Sequence, residues 1–221
     1  MSNNASTIKR YYQQSVTTAI SWLRGNSYTC YPIAPVITTS FDGNHIILKP
    51  KQCFFFKSWP MRDRSQKTIS ILASFIETID LANMKCVKST SRVSYYKIDG
   101  DIAYTLESIH FDADIQVQPA HPICHTQFSN RSIITQNEAF QYNVNDDFVK
   151  NRIPNIRLPS SHMNMPGLFQ SLTANHLKKS EWKDFIMHCS SHFSDIPKLP
   201  GDGIVSRFSE AGLSTLNWFD Y

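Results

Sequence analysis

Two β-branched and aromatic arms, Cys86 to Ile98 and Ile102 to Phe111, flank Asp99-Gly100, and no other segment narrows the fold as sharply. Asp-Gly between such arms favours a tight turn whose central residues take positive φ, so the spacing predicts a type I′ β-hairpin. On the second arm, alternation places Ile102, Tyr104, Leu106 and His110 on one face. Thr105, Glu107, Ile109 and Phe111 fall on the other.

The remaining elements are read from apolar period and turn chemistry. From Ser6 to Arg24, Ile8, Tyr12, Val16, Ala19, Ile20 and Leu23 recur at helical spacing, and Gly25 stands where a left-handed C-terminal residue is wanted. The Tyr31-Pro32-Ile33-Ala34-Pro35-Val36-Ile37 run is extended, a connector or sheet edge, because each proline removes a backbone donor. His45 to Lys49 and Gln52 to Lys57 read as a hairpin around Pro50-Lys51, and the unbroken Phe54-Phe55-Phe56 needs cover on both faces. Gln66 to Met84 shows helical spacing through Ile69, Leu72, Phe75, Ile76 and Ile79, which predicts a second helix. A strand is expected through Thr126-Gln127-Phe128 and an extended segment through Arg152 to Pro159. Asn164 caps a helix with Pro166 in its first turn, Ser180 caps another, and a short helical segment is expected at Phe208 to Leu213. The expected fold is α+β, an antiparallel sheet around a central hairpin, covered by N-terminal and C-terminal helices. Residues 1–221 form a single domain in this reading; the alternative division is a 1–150 α/β core and a mainly helical 151–221 part.

At 221 residues, 41% hydrophobic and 12% aromatic with only 7 glycines, the chain can bury a proper core and lies outside the disorder regime. A formal charge of +4 is compatible with nucleic acid without requiring it. Cys30, Cys53, Cys86, Cys124 and Cys189 are widely spread, without the close pairs of zinc ribbons or redox motifs, which points to a reducing compartment. No secretory signal pattern opens the chain, and no stretch approaches the roughly 18 consecutive apolar residues of a membrane span. A cytoplasmic protein without a membrane partner is expected.

Chemistry-bearing residues concentrate in Ser108-Ile109-His110-Phe111-Asp112-Ala113-Asp114 and His121-Pro122-Ile123-Cys124-His125. In a strand, His110, Asp112 and Asp114 share a face, where imidazole and carboxylate can share a metal or a proton. Zinc would need three or four such ligands at about 2.0 to 2.2 Å, and His110, Asp112, His121 and His125 are the candidates. The structural reading, favoured over it, has His110 capping a sheet core, Asp112 and Asp114 making turn hydrogen bonds and His121 pinning a loop. A nuclease could use the carboxylates to hold a divalent ion, or use His110 and His121 as base and acid. Cys124 is a poorer nucleophile, because adjacent His125 points to the opposite strand face.

Basic residues gather at Lys57, Arg62, Arg64 and Lys67, at Lys85, Lys88, Arg92 and Lys97, and at Lys178, Lys179 and Lys183. They could neutralise phosphates, and Trp59 could stack on a base, although solvated faces and a packed loop anchor explain them equally well. The apolar end, with Trp218, Phe219 and Tyr221, must fold back or dock on a partner.

A strand ending Phe111-Asp112-Ala113-Asp114, then His121-Pro122-Ile123-Cys124-His125, then Arg152-Ile153-Pro154 before an apolar helix from Leu168 to Leu177, resembles a prokaryotic family often encoded among defence genes. The likeness covers about half the chain, and that family carries an arginine where this chain has His110. In size and element order the chain is also similar to the small third subunit of Lamassu-type complexes, in which an SMC-like ATPase senses foreign DNA and a separate nuclease responds. That resemblance implies a non-catalytic adaptor in anti-phage or anti-plasmid defence. Its apolar helices and C-terminal aromatics would grip the larger ATPase and nuclease subunits, its basic face would lie near DNA, and it would need no cofactor. The alternative is a small His/Asp-dependent nuclease or toxin-like enzyme acting on RNA or DNA, with a divalent metal.

Overall fold

The computed structural model describes residues 2–61, 67–114, 124–129, 131–132, 137–146, 157–159 and 164–198. In chain order the elements are α1 (Ser2–Gly25), β1 (Cys30–Tyr31), β2 (Ile37–Asp42), β3 (His45–Pro50), β4 (Phe54–Pro60), β5 (Thr68–Asp80), β6 (Lys85–Asp99) and β7 (Ile102–Asp114). They continue with β8 (Cys124–Ser129), β9 (Asn143–Asn145), β10 (Arg157–Pro159), α2 (Met165–His176) and α3 (Lys179–Ser194). The α+β architecture is that expected: one sheet in the order β1-β4-β5-β6-β7-β8-β10, with the N-terminal and C-terminal helices packed on it. The β2-β3 pair joins β5 beside β4, and among the described residues every pairing is antiparallel except that of β9 with β7.

The hairpin of β6 and β7 is its centre. Asp99 pairs with Ile102, so the turn residues are Gly100-Asp101 and not Asp99-Gly100. Of the two, Gly100 alone has positive φ (60°), the pattern of a turn with glycine first and not of type I′. A second hairpin with the same chemistry, unforeseen from the sequence, joins β2 to β3 through Gly43-Asn44, with φ of 55° at Gly43.

Four further expectations are corrected. Gln66 to Met84 is not a helix; its core is β5, a strand buried on both faces over Ile69 to Ala73. Six β-branched residues, Thr68, Ile69, Ile71, Ile76, Thr78 and Ile79, suit that pleated setting, and apolar cover on both sides erases the polar alternation that would have marked a strand. His45 to Lys49 and Gln52 to Lys57 do form strands, β3 and β4, but each pairs with β5 and neither with the other. Gly25 is the last helical residue of α1, and the left-handed residue beyond it is Ser27 (φ 68°), with Tyr28 N–H closing on the Leu23 carbonyl. Lys178, not Ser180, is the N-cap of α3, where the Glu181 carboxylate accepts from the Lys178 N–H. Asn164 caps α2 as expected, its side chain accepting from Gly167 N–H at 3.0 Å. The segment Phe208 to Leu213 lies outside the described residues.

Two apolar cores lie on opposite faces of the sheet. On the near face, Ile8, Tyr12, Val16, Ile20 and Leu23 of α1 meet Phe54, Phe56, Ile71 and Phe75 of the sheet and Leu168, Phe169 and Phe185 of the C-terminal helices. On the far face, Cys53, Phe55, Leu72, Tyr96 and Ala103 pack under Phe140. Phe54, Phe55 and Phe56 are therefore all fully buried, as their unbroken run required, each contributing about 1.5–3 kcal/mol. Among the described residues, the Phe140 segment covers one half of the far face. Beyond Leu72 the β5 residues on that side are Ser74 and Thr78, half-buried, and Ile76, 38% exposed, and there the sheet surface becomes mainly polar around that one isoleucine.

Candidate functional site

The polar half of the far face is built by β6 and β7. A register shift at Tyr95/Tyr96 inserts Leu106 as an extra residue in β7, and this bulge inverts the alternation of the arm. His110 therefore shares a face with Ala103, Thr105 and Ser108, not with Ile102, Tyr104 and Leu106. From Ser108 onward alternation is regular, so His110, Asp112 and Asp114 line up opposite Arg92, Thr90 and Lys88.

These side chains bond to one another, Lys88 and Thr90 of β6 across to β7 and His110 along β7 itself. Lys88 Nζ lies 3.0 Å from Asp114, Thr90 Oγ1 donates to Asp112 at 2.7 Å, and His110 Nε2 approaches the other Asp112 oxygen at 3.1 Å. Ser94 and Ser108 hydroxyls meet at 2.7 Å. Asp112 and Asp114 are thus strand residues with cross-strand partners, not turn residues as the structural reading held. His110 and Asp112 are half-buried, with side-chain exposures of 20% and 31%. Chemically, a carboxylate on Nε2 fixes the orientation of the imidazole and leaves its other nitrogen for a different partner.

The register also sets Cys124 and His125 at the backbone positions opposite Ala113 and Asp112, although their side chains lie outside the described part. His121 lies outside the described residues altogether, as do Arg62, Arg64, Trp218, Phe219 and Tyr221. Among the described residues no three His, Cys, Asp or Glu side chains come together as a metal-binding group. His110 and Asp112 would provide two ligands of the three or four that zinc requires.

The basic residues do not form one patch. Lys88 and Arg92 share the far face, and alternation from Phe55 puts Lys57 on that side too. Lys85 sits at the β5-β6 turn opposite Asp80, and Lys67 precedes β5. Trp59 is 1% exposed within β4, so its ring belongs to the core. Arg92 is half-buried; its Nε is buried without a hydrogen-bond partner.

Two near-face groups escaped the sequence reading. Glu77, fully buried on β5, accepts from Tyr12 Oη of α1 and from the N–H of Met165 at the start of α2, both at 2.5 Å. Burial pushes its carboxyl up to about 7, against the lowering effect of those two hydrogen bonds. Burial first, and then the Glu77 charge, hold the Tyr12 hydroxyl well above its ordinary range. A lone acid inside the apolar run from Ile69 to Ile79 was the available signal. The second group is His176, whose Nδ1 lies 2.9 Å from the Pro60 carbonyl. A carbonyl only accepts, so Nδ1 carries the proton and the buried Nε2 is left without a partner, beside the equally unmatched Nε1 of Trp59. Burial lowers the His176 pKa.

Among the described residues no helix is long and apolar enough to cross a membrane. Comparison with protein-family models, with curated proteins and with solved structures finds no match.

Proposed function

We propose that this chain is a non-catalytic accessory subunit of a bacterial multiprotein defence complex that senses DNA. It links a larger SMC-like ATPase to a nuclease in the cytoplasm, against phage or plasmid, and lies close to DNA through its far face. The observation supporting this reading is that the candidate chemistry is turned on itself. Asp112 is held across the hairpin by Thr90 and along β7 by His110, and Asp114 across the hairpin by Lys88, in a side-chain ladder on the polar half of a sheet face. Such a ladder suits an interaction surface, where hydrogen bonds fix side-chain positions. The sequence resemblance to the small subunit of Lamassu-type complexes supplies the class of partner.

A second reading has its own observation. The His110-Asp112 pair, with His125 at the backbone position opposite Asp112, is an orienter-and-base arrangement compatible with a small nuclease or toxin-like enzyme acting on RNA or DNA. Affinity purification of the tagged chain from its native operon, followed by mass spectrometry and mass photometry, separates the two. The accessory role requires stoichiometric ATPase and nuclease partners, with H110A and D112A impairing assembly and defence together. A lone monomer or homodimer, whose H110A and D112A variants melt normally and lose all activity, would establish the enzyme instead.

A further inference from the structure

Across the far face, Ser74 of β5, Arg92 of β6, His110 of β7 and Gln127 of β8 are direct neighbours in the strand register. Directly opposed residues project from the same face, so the four form one row. It spans three inter-strand gaps of roughly 4.8 Å, about 14 Å in all. The row contains donors and hydroxyls and no carboxylate. On one side lie the Ser94 and Ser108 hydroxyls, which bond to each other; on the other lies Asp112, held by Thr90 and His110.

Arg92 stands outside this ladder of pairs. Its neighbour Lys88 has Asp114, whereas Arg92 forms no ion pair among the described residues, and its buried Nε lacks a hydrogen-bond partner. The buried, unmatched Nε–H is a cost to the fold, and the guanidinium that carries it is only half-buried, which leaves the rest of its donor fork toward solvent for an incoming acceptor. Its planar fork of donors matches the geometry of a phosphate oxyanion. Lys57 on the same face and the net charge of +4 favour a polyanion over a neutral ligand.

We infer that Arg92 anchors a phosphodiester of DNA laid across the Ser74-Arg92-His110-Gln127 row. This deepens the DNA contact of the accessory reading and rests on it. Contact through the backbone alone carries no base sequence, so binding is independent of sequence and steeply salt-dependent.

The test is fluorescence anisotropy of the purified full chain with a labelled duplex over a series of salt concentrations, for the native chain and for R92Q and R92K, with melting curves for all three. R92Q is expected to bind about tenfold more weakly and to reduce the salt slope by about one phosphate contact, while R92K keeps the slope. If R92Q does not melt like the native chain, R92K decides: a weaker complex with an unchanged slope supports the guanidinium contact. Absence of DNA binding by the native chain, or R92Q binding as tightly as the native chain, overturns the site. Partner recovery by mass photometry is measured in parallel. Intact recovery with no DNA effect leaves the accessory role standing without this contact, and lost recovery with no DNA effect transfers Arg92 to a protein interface.

Discussion

The backbone N–H of Met165 donates to Glu77 Oε1 at 2.5 Å, so a buried carboxylate on the central sheet caps the first turn of α2. The other oxygen takes the Tyr12 hydroxyl, and one side chain thereby ties α1, β5 and α2 together. In the unfolded chain this carboxyl has its ordinary value of 4.5, and burial in the folded chain pushes it up to about 7. Across that interval the folded state keeps a proton that the unfolded state has released. Its contribution is therefore fully present below the lower value and is lost as pH rises through the upper one. The difference corresponds to about 3 kcal/mol. Urea unfolding of native protein and E77Q from about pH 5 to about pH 8 checks this. The native chain should lose stability relative to E77Q by up to that amount as pH rises, and a constant gap would count against the assignment.

The parts of the fold that were legible are those fixed by neighbours in the chain. Alternation from Ser108 to Asp114 was enough to set His110, Asp112 and Asp114 on one face, and Asn164 with Pro166 marked the start of α2. What failed depended on distant cover. Ile69, Leu72, Phe75, Ile76 and Ile79 fit a helical stripe, and only the packing of Phe140, Phe55 and Tyr96 against Leu72 explains an apolar residue on the far side. The Leu106 bulge likewise leaves no local mark, yet it decides which side chains His110 joins. The partners of the candidate site, Thr90 and Lys88, became nameable only once the Asp99-Ile102 pairing fixed the register of the hairpin.

Gly100 and Gly25 make a matched pair for testing the local assignments. A Cβ at either position meets nothing within 4 Å, so any effect of alanine is conformational and not steric crowding. Gly100 has φ of 60°, a region alanine enters only with strain, and G100A should destabilise the chain by about 1 kcal/mol. Gly25 ends α1 without positive φ, and G25A should stabilise by about 0.5 kcal/mol. Thermal unfolding of both variants reads the two signs directly. A stabilising G100A would refute the hairpin geometry.

Asn164, at the start of α2, offers a further local test. Its side chain satisfies the Gly167 N–H, and the Met165 N–H beside it is satisfied by Glu77, so two of the orphan donors of α2 have different partners. N164A should cost about 1 kcal/mol, as loss of an N-cap does, whereas N164D should retain most of that stability by accepting the same bond. The Asp variant places a second carboxylate near Glu77, so its shortfall should grow as pH rises through about 7 and Glu77 ionises. Equilibrium unfolding of both variants on either side of that pH gives the comparison.

Lys88 and Asp114 form a 3.0 Å pair in which the lysine side chain is 58% exposed. Exposed pairs of this kind contribute about 0.2–1 kcal/mol and are weakened by salt, because ordering two long side chains offsets most of the attraction. A double-mutant cycle of K88A and D114A should therefore give a coupling energy within that range, shrinking further at high ionic strength. A coupling of several kcal/mol would mean that the ladder holds the hairpin together and that far-face substitutions act through folding. A small coupling has the opposite consequence. Near the open half of the far face the chain tolerates loss of its charges, so a defect in DNA or partner binding caused by a change at Arg92 reports on binding itself, with the Glu77 network and the two apolar cores keeping the fold intact.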